Sequence, residues 1–327
     1  MKKLGDSSTL PVLGLLAFLL FFPLVTPLDY PVYVIALTFL FGTVALNLDL
    51  TLGRLGMFNL AHSAIFGVGG YTSAMLAKYL GFPVPLTIFL GGAAACLISL
   101  PIGLIGLRLA GAYFAIATLA LSEVLRLTYL RLLDDWTYGE SGLWGIPPFP
   151  DIVLGNFTIN LSASLTAQYY LFMLLLIVNI VIYDRLLKTR IGLYFTAIRE
   201  DELAAKSLAI DTLRYKLLGF LLSSFFTGLA GGVYAHWIRT FSPALMSIPQ
   251  SVFFVAMVLI GGVRTLSGPL AGAFVSVIIF EFLKVRFIGM HMITFGLLII
   301  LITLAWPDGI ISSIRKIYGK PISPSRR

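Results

Sequence analysis

The hydropathy pattern is unusual for its lack of amphipathicity. Runs of roughly 20 residues carry almost no charge and are separated by short polar breaks. A helix that packs on a soluble core is apolar on one stripe only, whereas a run that is apolar on every side needs an apolar surrounding. About 20 such residues cross the hydrocarbon of a bilayer. The runs fall at 10–28, 32–50, 57–80, 84–107, 112–133, 166–183, 217–238, 248–263, 269–283 and 288–306. The pattern therefore predicts an all-α, polytopic membrane protein with about ten transmembrane helices, one transmembrane domain over 1–327. The eighth and ninth runs are short and flank Gly261-Gly262-Val263-Arg264-Thr265-Leu266-Ser267-Gly268-Pro269. That segment reads either as a tight turn or as a break inside a re-entrant hairpin. The first run follows Lys2 and Lys3. It is longer than a signal-peptide core and lacks a small-x-small cleavage site, so it reads as a retained anchor.

Composition agrees and excludes other classes. The 327 residues are 58% hydrophobic and 12% charged, against about 25% charged for a soluble domain. So few charges cannot cover a soluble surface. The net charge of +8 follows from topology rather than from a nucleic-acid partner. With ten spans and both termini inside, most Lys and Arg fall on the cytoplasmic side, as the positive-inside rule demands. The one cysteine, Cys96, sits in an apolar run and reads as a buried hydrophobe. His62, His236 and His291 are too dispersed for metal-ligand spacing. No nucleophile–base constellation is legible, so the chain is not read as an enzyme. It also lacks the G-x-x-x-x-G-K-[ST] phosphate loop; Gly319-Lys320 is followed by Pro321.

Two loops are long. Segment 134–165, expected outside, carries Trp136, Tyr138, Trp144 and Pro147-Pro148-Phe149-Pro150 and suits a rigid interfacial cap. Segment 184–216, expected in the cytoplasm, is the most polar stretch of the chain. The acids Glu200, Asp201 and Glu202 suit a helix N-terminus, with Asp201 as its N-cap. Leu203, Ala204 and Ala205 follow, and Leu208 lies one helical turn beyond Ala204. A helix this short cannot bury a core alone, and its small residues allow another protein to approach closely. Asp211-Thr212 is a second cap signal ahead of the seventh span. On these features alone, a solvated inter-helix loop is the competing reading.

Ala197-Ile198-Arg199-Glu200-Asp201-Glu202 with Ala204-Ala205 resembles the Glu-Ala-Ala coupling loop of ABC importer permeases, in the version found in branched-chain amino acid permeases. Gly56–Thr72, Gly111–Ala120 with Glu123, and Val258–Gly262 with Gly268-Pro269 and Gly272 are similar to other segments of that family. The likeness covers roughly 30–310, and the long outer loop resembles that of the M-type subunit. The resemblance implies one half of a heterodimeric pore with a second permease subunit. It implies two cytoplasmic ABC ATPase subunits that bind ATP, an external substrate-binding protein, and no cofactor on this chain. Arg199, Glu200, Asp201, Glu202, Ala204 and Ala205 would form the ATPase-coupling loop, in a plasma or inner membrane. The implied cargo is leucine, isoleucine or valine, with urea or a short amide as the alternative. An ion-coupled secondary transporter is a further reading, but Glu123 is the only plainly central carboxylate. The likeness departs at Ala209, where the family has glycine, and at Thr137-Tyr138-Gly139, where the family has Thr-Gly-Gly.

Intramembrane ionisable groups are expensive and tend to face a cavity or a partner. Glu123 and Arg126 lie one turn apart in the fifth span. They read either as a polar patch on the substrate pathway or as a self-neutralising structural pair. Asn59 and His62, at the start of the third span, are the other pathway candidates, against a purely structural hydrogen-bonding role.

Overall fold

The computed structural model describes residues 19–26, 28–107, 109, 111–154, 157–287, 289–306, 309–311 and 313. Most of the first expected span, and the basic residues near both ends of the sequence, lie outside these. Each of the other nine expected spans coincides with a helix.

Helix α1 (Asp29–Asp49) continues as a wider turn through Arg54 and is the central post of the bundle. Almost every residue from Val32 to Asp49 is buried. It packs against α6 (Leu165–Leu187), α9 (Thr212–Ile238), α10 (Ile248–Gly261) and α11 (Ser267–Arg286). A second layer holds α2 (His62–Leu80), α3 (Val84–Gly106) and α4 (Ala112–Leu127, extended to Leu132). Short helix α5 (Asp134–Thr137) opens the 134–165 loop. Helices α7 (Arg190–Glu200) and α8 (Glu202–Ser207) form the polar loop, and α12 (His291–Ala305) follows α11. Among the described residues, six helices are long and apolar enough to cross a membrane: α1, α3, α4, α6, α9 and α11. At 14 residues, α10 is only about 21 Å long.

Glycine determines how closely α2, α3 and α9 approach. A Cβ on Gly69 would strike the backbone of Gly228, one on Gly231 the carbonyl of Phe66, and one on Gly91 the carbonyl of Gly69. Small-residue contacts of this kind are how helices associate where lipid removes the hydrophobic drive. Gly261 and Gly272 do the same between α10 and α11. The 261–269 segment is a turn of this close-packed hairpin.

The third span departs from its expected start. Residues 57–61 are not helical, and α2 begins at His62. Gly56 turns the chain with φ +72°, and the irregular stretch after it leads into the bundle. His62 bonds to Ser223, the twelfth residue of α9, so α2 opens about 16 Å in from the end where α9 begins. Non-helical backbone at that depth must find partners. Met57 N–H donates to Thr51 O, Leu60 N–H to Thr118 Oγ1, and Ala61 N–H to Asn59 Oδ1. From the opposite end, the segment after α9 descends along α2. Phe241 fills the space over Gly70, Met246 that over Gly67, and Ser63 Oγ donates to Met246 O at 3.2 Å. Ser251, in the first turn of α10, donates to Leu60 O at 2.7 Å. Two broken elements thus meet near the middle of the bundle.

The 134–165 loop folds over the other end. Its β1 (Leu143–Trp144) pairs antiparallel with β4 (Thr240–Phe241), and β2 (Ile152–Leu154) pairs with β3 (Phe157–Ile159). His236 Nδ1–H donates to Pro147 O at 2.7 Å, which leaves Nε2 to accept from Ser73 at 2.9 Å. That histidine pins the loop to α2 and α9.

Candidate functional site

The acids of the polar loop do not share one helix start. Glu200 closes α7, Asp201 is the break, and Glu202 opens α8. Asp201 caps as expected: Oδ1 accepts from Leu203 N–H at 2.8 Å and Ala204 N–H at 3.0 Å. Glu202 turns inward. It pairs with Lys216 at the start of α9, with Lys206 at 3.0 Å, and accepts from Thr212 at 3.2 Å. Burial pushes its carboxyl up, but the two lysines outweigh this and hold it below the usual carboxylate range. Ala205 also faces inward and is buried. Ala204 and Ser207 face out, flanked by Leu203 and Leu208 at 75% and 74% exposure. These two leucines, on and just after a six-residue helix, join neither apolar cluster of the described residues.

The chain leaves α8 through Ala209 at φ +59°, a left-handed conformation that costs a residue with a Cβ about 1–2 kcal/mol. Tyr138 also stands at φ +59°. The two departures from the family pattern therefore fall where the backbone favours glycine. Tyr138 adds a ring to a cluster in which Lys78 Nζ lies 4.9 Å from Tyr138, 5.0 Å from Trp144 and 5.3 Å from Tyr79.

Behind α7 lies a charge node that sequence reasoning missed. Asp49, at the end of α1, is fully buried. Its carboxylate accepts from Tyr183 OH at 2.7 Å and from Arg264 N–H at 3.0 Å, and Arg54 Nε lies 3.8 Å away. The Arg264 side chain reaches Glu200 at 3.6 Å. Arg199 runs beneath Gly56, where any Cβ would meet its stem at 3.2 Å. Burial lowers the Arg199 pKa, and the neighbouring Arg264 lowers it further. The node ties α1, α6, α7 and the α10–α11 turn together. A lone aspartate at the end of an apolar run was its only signal in the sequence.

The pathway candidates fall into two separate pairs. Asn59 and His62 are buried and satisfied by each other and their neighbours. Asn59 Nδ2 donates to His62 Nδ1 at 2.9 Å, so Nε2 carries the proton and donates to Ser223 at 2.8 Å. Ser223 in turn donates to Asn47 O at 2.7 Å. This relay bolts the broken start of α2 to α9 and α1. Glu123 and Arg126 stand elsewhere, near the middle of α4. Arg126 Nε donates to both carboxylate oxygens at 3.0 and 2.9 Å, and Nη2 to Oε1 at 2.5 Å. Their side chains are 34% and 24% exposed. No hydrogen bond or ion pair joins the two pairs among the described residues. Nor do His, Cys, Asp and Glu cluster there in a group able to hold a metal.

The family model described as branched-chain amino acid transport system, permease component, matches residues 30–303. The chain is 28% identical over 301 residues to the high-affinity branched-chain amino acid transport system permease protein LivM of Escherichia coli, covering 85% of this chain and 69% of that one. It is 27% identical over 240 residues to the probable branched-chain amino acid transport permease protein LivH of Methanocaldococcus jannaschii, covering 71% and 73%. It is 26% identical over 203 residues to the guanosine ABC transporter permease protein NupQ of Bacillus subtilis, covering 57% and 60%. No solved structure matches. The family match runs from α1 almost to the end of α12, and on that ground the chain belongs to the permease components of branched-chain amino acid transport systems, multi-pass transport subunits rather than enzymes.

Proposed function

We propose that this chain forms half of the pore of an ATP-driven importer for leucine, isoleucine and valine. A second permease subunit supplies the other half, an external binding protein delivers the amino acid, and two ATPase subunits bind α8 on the cytoplasmic side. The observation that carries this reading is the exposed face of α8. Leu203, Ala204, Ser207 and Leu208 project outward, while Glu202 ties the same helix to α9 and Ala205 is buried beneath it. A docking helix needs both properties: an apolar face for the partner, and a fixed attachment through which force passes inward. Glu200–Arg264 and Asp49 continue that attachment to α1 and the α10–α11 hairpin. We place the 134–165 cap on the outside, and the amino acid along the α4 face that bears Glu123 and Arg126. Asn59 and His62 form the wall behind it.

The test is Leu203→Asp with Leu208→Asp, which alters only exposed side chains. The variant should insert in the membrane and pair with the second permease, yet fail to retain the ATPase subunits on purification. Retention of the ATPases at wild-type stoichiometry would refute α8 as the docking element.

A further inference from the structure

A paired charge in the middle of an apolar span needs a reason to exist. Each charged residue at a helix centre costs insertion about 2.5–3.5 kcal/mol. Replacing a poorly solvated ion pair by apolar residues is often neutral or stabilising. Helix α4 nevertheless keeps Glu123 and Arg126, and leaves both partly open on its surface. Their surroundings are apolar. Ile116, Ala120 and Leu127 stand three, four or seven positions from Glu123 and share its exposed face. The hydroxyl of Ser122, one residue before Glu123, is buried with no hydrogen-bond partner among the described residues.

We propose that Glu123 and Arg126 form a zwitterion-binding site on the transport pathway. The α-carboxylate of an amino acid takes Arg126, its α-ammonium takes Glu123, and its branched side chain lies against Ile116, Ala120 or Leu127. The bidentate pair is a placeholder of matching chemistry. A zwitterion replaces one set of charge-assisted hydrogen bonds by two and leaves no charge bare in the apolar wall. Selectivity for an uncharged side chain follows from the stripe, which has no polar group to offer beyond the pair. This inference rests on the amino acid import proposed above.

The experiment uses the whole complex, with its binding protein and ATPases, in ATP-loaded proteoliposomes supplied with radiolabelled leucine. Glu123→Gln with Arg126→Gln removes both charges and keeps the shapes. The expected result is normal assembly with KM raised roughly ten- to a hundredfold, the weight of lost charge-assisted hydrogen bonds. Glu123→Arg with Arg126→Glu restores an ion pair of reversed polarity. It should assemble and still fail to restore KM. Wild-type KM in either variant would overturn the proposal and assign the pair to structure alone. Failure of the wild-type complex to import any branched-chain amino acid would instead overturn the functional reading beneath it.

Discussion

Removing the Asp49 carboxylate should be among the most damaging single changes in the chain. Asp49→Ala leaves the buried Tyr183 hydroxyl and the part-buried Arg264 N–H without an acceptor. Each orphaned group costs about 1–3 kcal/mol. Arg54 also loses its nearest counter-charge, and breaking a buried pair from one side costs about 3–5 kcal/mol. These terms share one carboxylate and do not add, so the expected loss is about 4 kcal/mol. Asp49→Asn keeps the shape and an acceptor and should lose about half of that. The assay is reversible unfolding of the purified chain in mixed micelles, with Tyr183→Phe completing a double-mutant cycle. The cycle should show a coupling of about 1–2 kcal/mol between Asp49 and Tyr183. A loss below about 1 kcal/mol for Asp49→Ala, or zero coupling, would refute the node as a load path between α1, α6 and the hairpin.

The other expectations are smaller or sharper. Ala209→Gly relieves a left-handed alanine at a cost of about 1–2 kcal/mol, less about 0.4–1 kcal/mol for the looser unfolded chain; the same unfolding assay should show a gain of about 0.5–1 kcal/mol, and a loss would contradict the strain. Gly231→Ala drives a methyl into the Phe66 carbonyl and should cost about 1–3 kcal/mol, whereas Gly296→Ala meets open space in α12 and should be neutral or stabilising; equal effects at the two sites would remove the packing argument. The depressed Glu202 carboxyl stabilises the folded loop above its unfolded pKa of about 4.3, and that contribution disappears as pH falls through the lower folded value. The stability gap between wild type and Glu202→Gln is therefore present at neutral pH, no more than about 1 kcal/mol because solvent screens the site, and should close on acidification. A gap that widened in acid would reverse the assignment.

The spans were legible because hydrocarbon demands long apolar runs, and nine of them became helices within a few residues of their expected edges. The start of α2 was not legible. Hydropathy cannot tell a helix from irregular apolar backbone, and what breaks the helix is tertiary: Asn59, Thr118 and Ser251 supply the hydrogen bonds that a helix would have made for itself. The Asp201 and Asp211 caps could be read from local sequence because capping is a local interaction. The roles of Glu200 and Glu202 could not, since their partners Arg264 and Lys216 are set by the fold. The pairing of Glu123 with Arg126 followed from helical spacing alone, but their partial exposure needed the packed bundle.

The central claim is ATP-driven movement of a branched-chain amino acid through this chain. Proteoliposomes holding both permeases and both ATPases, with the binding protein outside, provide the direct measurement. Leucine accumulation should require internal ATP, be unaffected by collapsing proton and sodium gradients, and be lost when Leu203 and Leu208 are both changed to Asp. Accumulation that continued without ATP and stopped when the ion gradients were collapsed would contradict it.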